Sequence, residues 1–233
     1  MKKCGFLICG LWLLQAALGF GQVNFTRGEE LLMQNKPKEA VVYLENSIAD
    51  DPAHVKAFLY LGIVYEQLNR TDEAIAAYRK ILDRAGNLTA NVANNLGNAY
   101  FQKGNTDYAE QFYSRALDVD GVYSPAYLGR ANTRVKAGAL RNAVVDYELY
   151  LSLEPRTPQR SEIERLIAFI RSEFAAEERR KLLAEEEARA EAERRQRLLD
   201  EVAASLQSVS DSSQGLSSGA EHVEGYEGEF ELE

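Results

Sequence analysis

LGIVYEQLNRTDEAIAAYRKIL, residues 61–82, and LGNAYFQKGNTDYAEQFYSRAL, residues 96–117, align without a gap. Leu61–Gly62 falls on Leu96–Gly97, Tyr65 on Tyr100, Ala74 on Ala109 and Tyr78 on Tyr113, all at an offset of 35 residues. A further step of 34 carries Ala109 and Tyr113 to Ala143 and Tyr147, with Gly138 in the turn and Pro155 closing the unit. A step of 34 back from Gly62 and Ala74 reaches Gly28 and Ala40, with Pro52 closing. Self-similarity at such a period marks a stack of supersecondary units, each unable to bury its apolar face alone.

These residues resemble the tetratricopeptide repeat, a 34-residue helix–turn–helix with small residues where its two helices cross. The resemblance implies an all-α fold: a right-handed superhelix of four units, at about 21–54, 55–88, 90–123 and 124–157. In that frame Gly28, Gly62, Gly97 and Ala131 are small because the second helix packs closely there, and Ala40, Ala74, Ala109 and Ala143 match them on that helix. Tyr65, Tyr100, Tyr78, Tyr113 and Tyr147 fill the space between units. Pro52 and Pro155 break the chain so that the next element can begin. Asp83–Thr89 carries one extra residue and no proline, which predicts a looser loop. The end units depart from the pattern. The first has Asn24, Arg27 and Leu44 at signature positions, and the fourth has Arg130, Ala131 and Arg134, as expected of units with one uncovered side.

Beyond Pro158, Ile163, Leu166, Ile167, Ile170 and Phe174 recur at three- and four-residue steps, predicting a helix that closes the open end of the stack. Within 161–206 that helix continues as a charged rod. Glu177–Lys181, Glu185–Arg189, Glu191–Arg195 and Glu193–Arg197 are acidic-before-basic pairs at i,i+4. No sustained heptad accompanies them, although Leu198, Leu199, Val202 and Leu206 make an apolar patch. Residues 207–233 are Ser/Gly-rich, then acidic, with seven acidic side chains and no basic one, and disorder is expected there. The closing EGYEGEFELE interleaves Tyr226, Phe230 and Leu232 with glutamates, suiting either a solubilising tail or a docking peptide.

At the other end, Lys2 and Lys3 precede an apolar run from Cys4 to Phe20, and small residues follow. Residues 1–21 therefore read as an export signal, with an uncleaved membrane anchor as the alternative. Export, with the compact double-lysine start, points to the bacterial periplasm. Both cysteines, Cys4 and Cys9, lie in this segment, so the mature protein would have no disulfide framework. The formal net charge is −9 and no part is dominated by basic residues, so nucleic acid is not an expected partner. His54 and His222 have no ligand-like spacing, and neither a phosphate loop nor a nucleophile with a positioned base can be argued. The reading is a non-enzymatic protein without cofactor or metal.

One stretch is compositionally odd. NVANNLGNAY, residues 91–100, holds four asparagines, which are poor helix formers, inside a helix. Asn91, Asn94, Asn98 and Phe101 share one face, opposite to Leu96, Gly97 and Tyr100. The family resemblance places that face on the concave groove, with Asn95 at its edge. It adds Lys56, Leu59, Ile63 and Glu66 from the preceding unit, and Leu128, Asn132 and Val135 from the following one. An amide offers both donor and acceptor, so such a row suits the backbone of a bound peptide. The expected function is a scaffold that binds a peptide or helix of an envelope protein. The alternative is a structural subunit that self-associates through the charged helix.

Overall fold

The computed structural model describes residues 22–219, so the export segment 1–21 and the residues from 220 to the end, with Tyr226, Phe230 and Leu232, lie outside the described residues. Among the described residues every regular element is a helix, as the repeat period predicts. Helix α1 covers 22–33, and α2 is Pro37–Asp50. The next pair is α3, Val55–Gln67, and α4, Thr71–Ile81. Then follow α5, Thr89–Gln102, and α6, Thr106–Val119. The last pair is α7, Ser124–Lys136, and α8, Leu140–Leu153, before the long α9, Arg160–Gly219.

The helix pairs are set by a recurring turn. Asn35, Asn69, Gly104 and Gly138 occupy equivalent positions between the two helices of each repeat, and all four have φ between +56 and +78°. Glycine enters this left-handed region freely, and asparagine more readily than other side chains. The Asn35 and Asn69 versions of this turn carry no glycine signal and escaped the sequence reading. Starts are also specified locally. His54 Nδ1 accepts from the Ala57 N–H at 3.1 Å, and Asn105 Oδ1 from the Tyr108 N–H at 3.1 Å. Pro37 opens α2 and Pro125 opens α7. Between repeats, Asp51 Oδ1 accepts from Ala53 N–H and Asp120 Oδ1 from Val122 N–H, so the Pro52 turn is matched by one without proline. The long link after α4 forms two short 3₁₀ turns, Leu82–Arg84 and Gly86–Leu88, with Gly86 at positive φ.

Close approach of the paired helices explains the signature. A Cβ built on Gly62 would lie 2.3 Å from the Tyr78 ring, and one on Gly97 2.7 Å from the Tyr113 ring. On Gly28 it would meet Leu44 at 2.7 Å. Ala40, Ala74, Ala109, Ala131 and Ala143 are fully buried. Gly129, absent from the sequence signature, has the same role across a repeat boundary, since its Cβ would stand 2.3 Å from the Tyr113 ring. Tyr113 is thus held between Gly97 of its own repeat and Gly129 of the next.

The chain forms two compact units, one reaching Ile170 and the other starting at Arg171. In the first, Ile163, Ile167 and Ile170 of α9 are buried. Arg160 donates to the Leu151 and Pro155 carbonyls at 2.7 and 3.0 Å, joining the start of α9 to the end of α8. In the second, α9 is a solvated helix. Lys181 pairs with Glu177 at 2.7 Å and Arg197 with Glu193 at 3.7 Å. Each such pair contributes about 0.2–0.5 kcal/mol. The helix passes the boundary expected at residue 206 and runs to Gly219, so disorder from 207 does not hold as far as that residue. Leu206 and Val209 extend the apolar series of Leu199 and Val202 through this stretch, and all four are exposed.

Candidate functional site

The first helices of the repeats, α3, α5 and α7, carry the candidate groove residues, and most of the asparagine amides are already in use. Tyr113 Oη donates to Asn98 Oδ1 at 2.7 Å, and Tyr147 Oη donates to Asn132 Oδ1 at 2.6 Å. These are equivalent pairs in consecutive repeats. In the preceding repeat Ile63 stands where Asn98 would be, and Tyr78 donates to Glu66 Oε2 at 3.1 Å instead. Asn91 Nδ2 donates to Tyr123 Oη at 3.3 Å, and Asn95 Nδ2 to Asn91 Oδ1 at 3.3 Å. The same tyrosines that fill the helix crossings therefore reach through to orient the asparagines.

Several candidates sit differently from the sequence reading. Asn94 is 6% exposed, and Leu59 is also 6% exposed and part of the core, so neither lines an open surface. The 3.6-residue period identifies which residues share a face but not how much of it the adjacent first helices cover. Nor is Asn98 free of packing duties, because it is the acceptor for a buried phenol. Lys56 is exposed, while Ile63 and Phe101 are half-buried against the core. Lys136 Nζ stands 5.0 Å over the Phe101 ring.

Two acceptors here lack partners. Glu66 Oε1 and Asn94 Oδ1 are shielded from solvent without a hydrogen bond. Burial pushes the Glu66 carboxyl up to about 7, against a smaller opposing effect of the Tyr78 hydrogen bond. The folded state thus binds the Glu66 proton more tightly than the unfolded chain does. Its contribution to stability is greatest at acid pH and is lost as pH rises from about 4.5 through 7. Burial, the Glu66 charge and its hydrogen bond raise the Tyr78 phenol well above its ordinary range. Burial first, and the Glu66 charge second, raise that of Tyr113 as well.

The irregular fourth repeat has a different explanation from an uncovered end. Arg130 makes a bidentate pair with Asp146, Nη2 to Oδ1 at 2.8 Å and Nε to Oδ2 at 2.9 Å. Arg134 donates to Asp146 Oδ2 at 2.6 Å and to Glu110 Oε1 at 2.8 Å. Asp146 is 1% exposed. In the third repeat the equivalents of Arg134 and Asp146 are Tyr100 and Phe112, stacked at 5.4 Å. One packing position is filled by an aromatic stack in one repeat and by ions in the next.

Elsewhere, an apolar cleft of about 510 Å³ lies between α2, α3 and α4, lined by Ile48, Phe58, Leu61 and Tyr65 with Glu73 and Lys80, and none of the groove candidates borders it. Among the described residues no cluster of three or more His, Cys, Asp or Glu could hold a metal ion, and no helix is long and apolar enough to cross a membrane.

Residues 25–88 and 90–121 each match a family model described as Tetratricopeptide repeat. A curated relative, "Probable UDP-N-acetylglucosamine--peptide N-acetylglucosaminyltransferase SPINDLY" of Hordeum vulgare, is 31% identical over 107 residues. That match takes in 43% of this chain and spans only 11% of the relative. Among solved structures, MamA is similar with a TM-score of 0.57 at 21% identity, over 64% of this chain and 84% of that one. A protein described as Pseudomonas aeruginosa pilF gives 0.59 at 20%, over 69% and 72%. YrrB, described as a TPR protein with an unusual peptide-binding site, gives 0.55 at 16%, over 65% and 76%. At these identities the structural likeness speaks to the fold.

Proposed function

The chain belongs to the tetratricopeptide repeat family, and from that premise we propose that it is a non-catalytic scaffold whose α3–α5–α7 face binds a peptide segment of another protein. The observation that carries this reading is the repeated phenol–amide pair. Tyr113 and Tyr147 each occupy the Oδ1 of an asparagine on a first helix, which orients both amides before any partner arrives. Their Nδ2 groups remain as pre-set donors for the carbonyls of an extended backbone. Pre-set groups lose little freedom on binding, which favours affinity without demanding a particular sequence. YrrB, of similar fold, is described by its own peptide-binding site. The export signal read in residues 1–21 would make the partner an envelope protein.

The test is selection of displayed random peptides on the wild-type protein, followed by affinity measurement on Asn98→Ala/Asn132→Ala. Enriched peptides should bind the double variant at least about tenfold more weakly, a change of about 1.4 kcal/mol. Each substitution also leaves a buried phenol without its acceptor, so stability should fall by about 1–3 kcal/mol per site, and affinities are compared where both proteins are folded. Unchanged affinity would refute the reading.

A second reading rests on α9. Leu199, Val202, Leu206 and Val209 are exposed and step by three and four residues, the spacing of a seam between two copies of one helix. Sedimentation equilibrium should then show a dimer that Val202→Glu/Leu206→Glu dissociates, and a wild-type monomer across the micromolar range rules it out.

A further inference from the structure

We propose that the peptide taken up by this face carries a lysine or arginine side chain that pairs with Glu66, so that the partner is a basic segment. The inference rests on the peptide-binding reading above and specifies the chemistry of its ligand.

Glu66 lies near the end of α3, with one carboxyl oxygen held by the Tyr78 hydroxyl and the other enclosed and unbonded. No arginine or lysine of the described residues pairs with it, and Lys56 sits toward the opposite end of the same helix. Carboxylates shielded this far normally have a cation or several N–H donors, because desolvating a lone charge is costly. The surrounding groups do not meet that need. Tyr78 donates its only proton to Oε2, Tyr113 gives its own to Asn98, and the Asn95 amide serves Asn91 and the Tyr78 hydroxyl, so Oε1 has no donor.

The vacant Glu66 oxygen is an acceptor, so its complement must bring a donor, and a basic side chain brings a cationic one. An acidic side chain would meet the Glu66 charge as a repulsion. Asn94 Oδ1, on the neighbouring first helix, is a second acceptor without a donor, but it is closed off from the open surface and takes no part in this pairing.

The titration of Glu66 gives the pairing a pH signature. The titratable groups facing it are Tyr78 from α4 and Tyr113 from α6, and both phenols are pushed upward, away from neutral pH. Asn95 of α5 carries no charge. Between pH 6 and 8 the change in the site is therefore that of Glu66, which becomes charged over this range. Affinity for a basic peptide should rise up to about tenfold from pH 6 to pH 8.

The experiment selects phage-displayed random dodecapeptides in parallel on the wild-type chain, on Glu66→Gln and on Glu66→Asp. Glutamine keeps an acceptor for Tyr78 and removes the charge, so it should fold with a melting temperature at pH 8 no lower than wild type. Wild type is expected to enrich lysine or arginine at one fixed position. Glu66→Gln should lose that preference while retaining the rest of the consensus, and Glu66→Asp should retain it more weakly. Synthetic peptides with that lysine replaced by norleucine should lose both affinity and pH dependence on wild type. Enrichment of neutral or acidic peptides, or the same basic consensus on Glu66→Gln, overturns this inference and leaves peptide binding standing. No enrichment on any of the three overturns both.

Discussion

Asp146→Ala is expected to destabilise the repeat array by about 3–5 kcal/mol, because it takes the carboxylate from Arg130 and leaves Arg134 with Glu110 alone in a largely buried site. In a unit of this size each kcal/mol moves the melting temperature by about 2–4 °C, so the midpoint should fall by roughly 10 °C. Stability in stacked repeats is a sum of local terms, so the loss should be uneven. Hydrogen exchange should show α7 and α8 losing protection before α3 and α4. The companion variant Arg130→Leu/Arg134→Tyr/Asp146→Phe installs the residues that the third repeat has at these positions, Leu96, Tyr100 and Phe112. It should be at least as stable as wild type, since well-packed apolar groups commonly match or exceed a buried ion network. If Asp146→Ala unfolds at the wild-type midpoint, the network contributes nothing.

Tyr113→Ala should cost about 3–5 kcal/mol, the range for deleting a large buried ring. The ring is 2% exposed and closes against two glycines, Gly97 and Gly129, so neither neighbour has a side chain able to collapse into the space. The Asn98 amide loses its phenol at the same time. Tyr108→Ala, on the same helix but 44% exposed, should cost under about 1 kcal/mol. Urea unfolding of the two variants side by side provides the check. Equal effects would mean that the Gly97–Tyr113–Gly129 contact has no special weight.

Much of this was legible beforehand. The Leu–Gly and alanine–tyrosine pairs repeat at a constant offset because each repeat must bring its two helices into contact at the same height. That requirement shows in a single chain. What was not legible depends on partners distant in sequence. Asn69 looks like any polar loop residue until its positive φ shows the turn it makes. Arg130 and Arg134 look like surface charges until Asp146 and Glu110 are seen beside them.

NVANNLGNAY shows the division most clearly. From sequence it follows that this stretch is a helix with Leu96, Gly97 and Tyr100 on its crossing face, because periodicity is a property of one segment. Tertiary structure decided the duties of the asparagines. Asn98 became the acceptor of Tyr113, Asn91 and Asn95 joined into a chain ending on Tyr123, and Asn94 was buried unpaired. It also set an unpaired Glu66 oxygen among their partners. A helical period determines direction around one axis, whereas hydrogen bonding and burial depend on distances to other helices, and only the stacked repeats supply those.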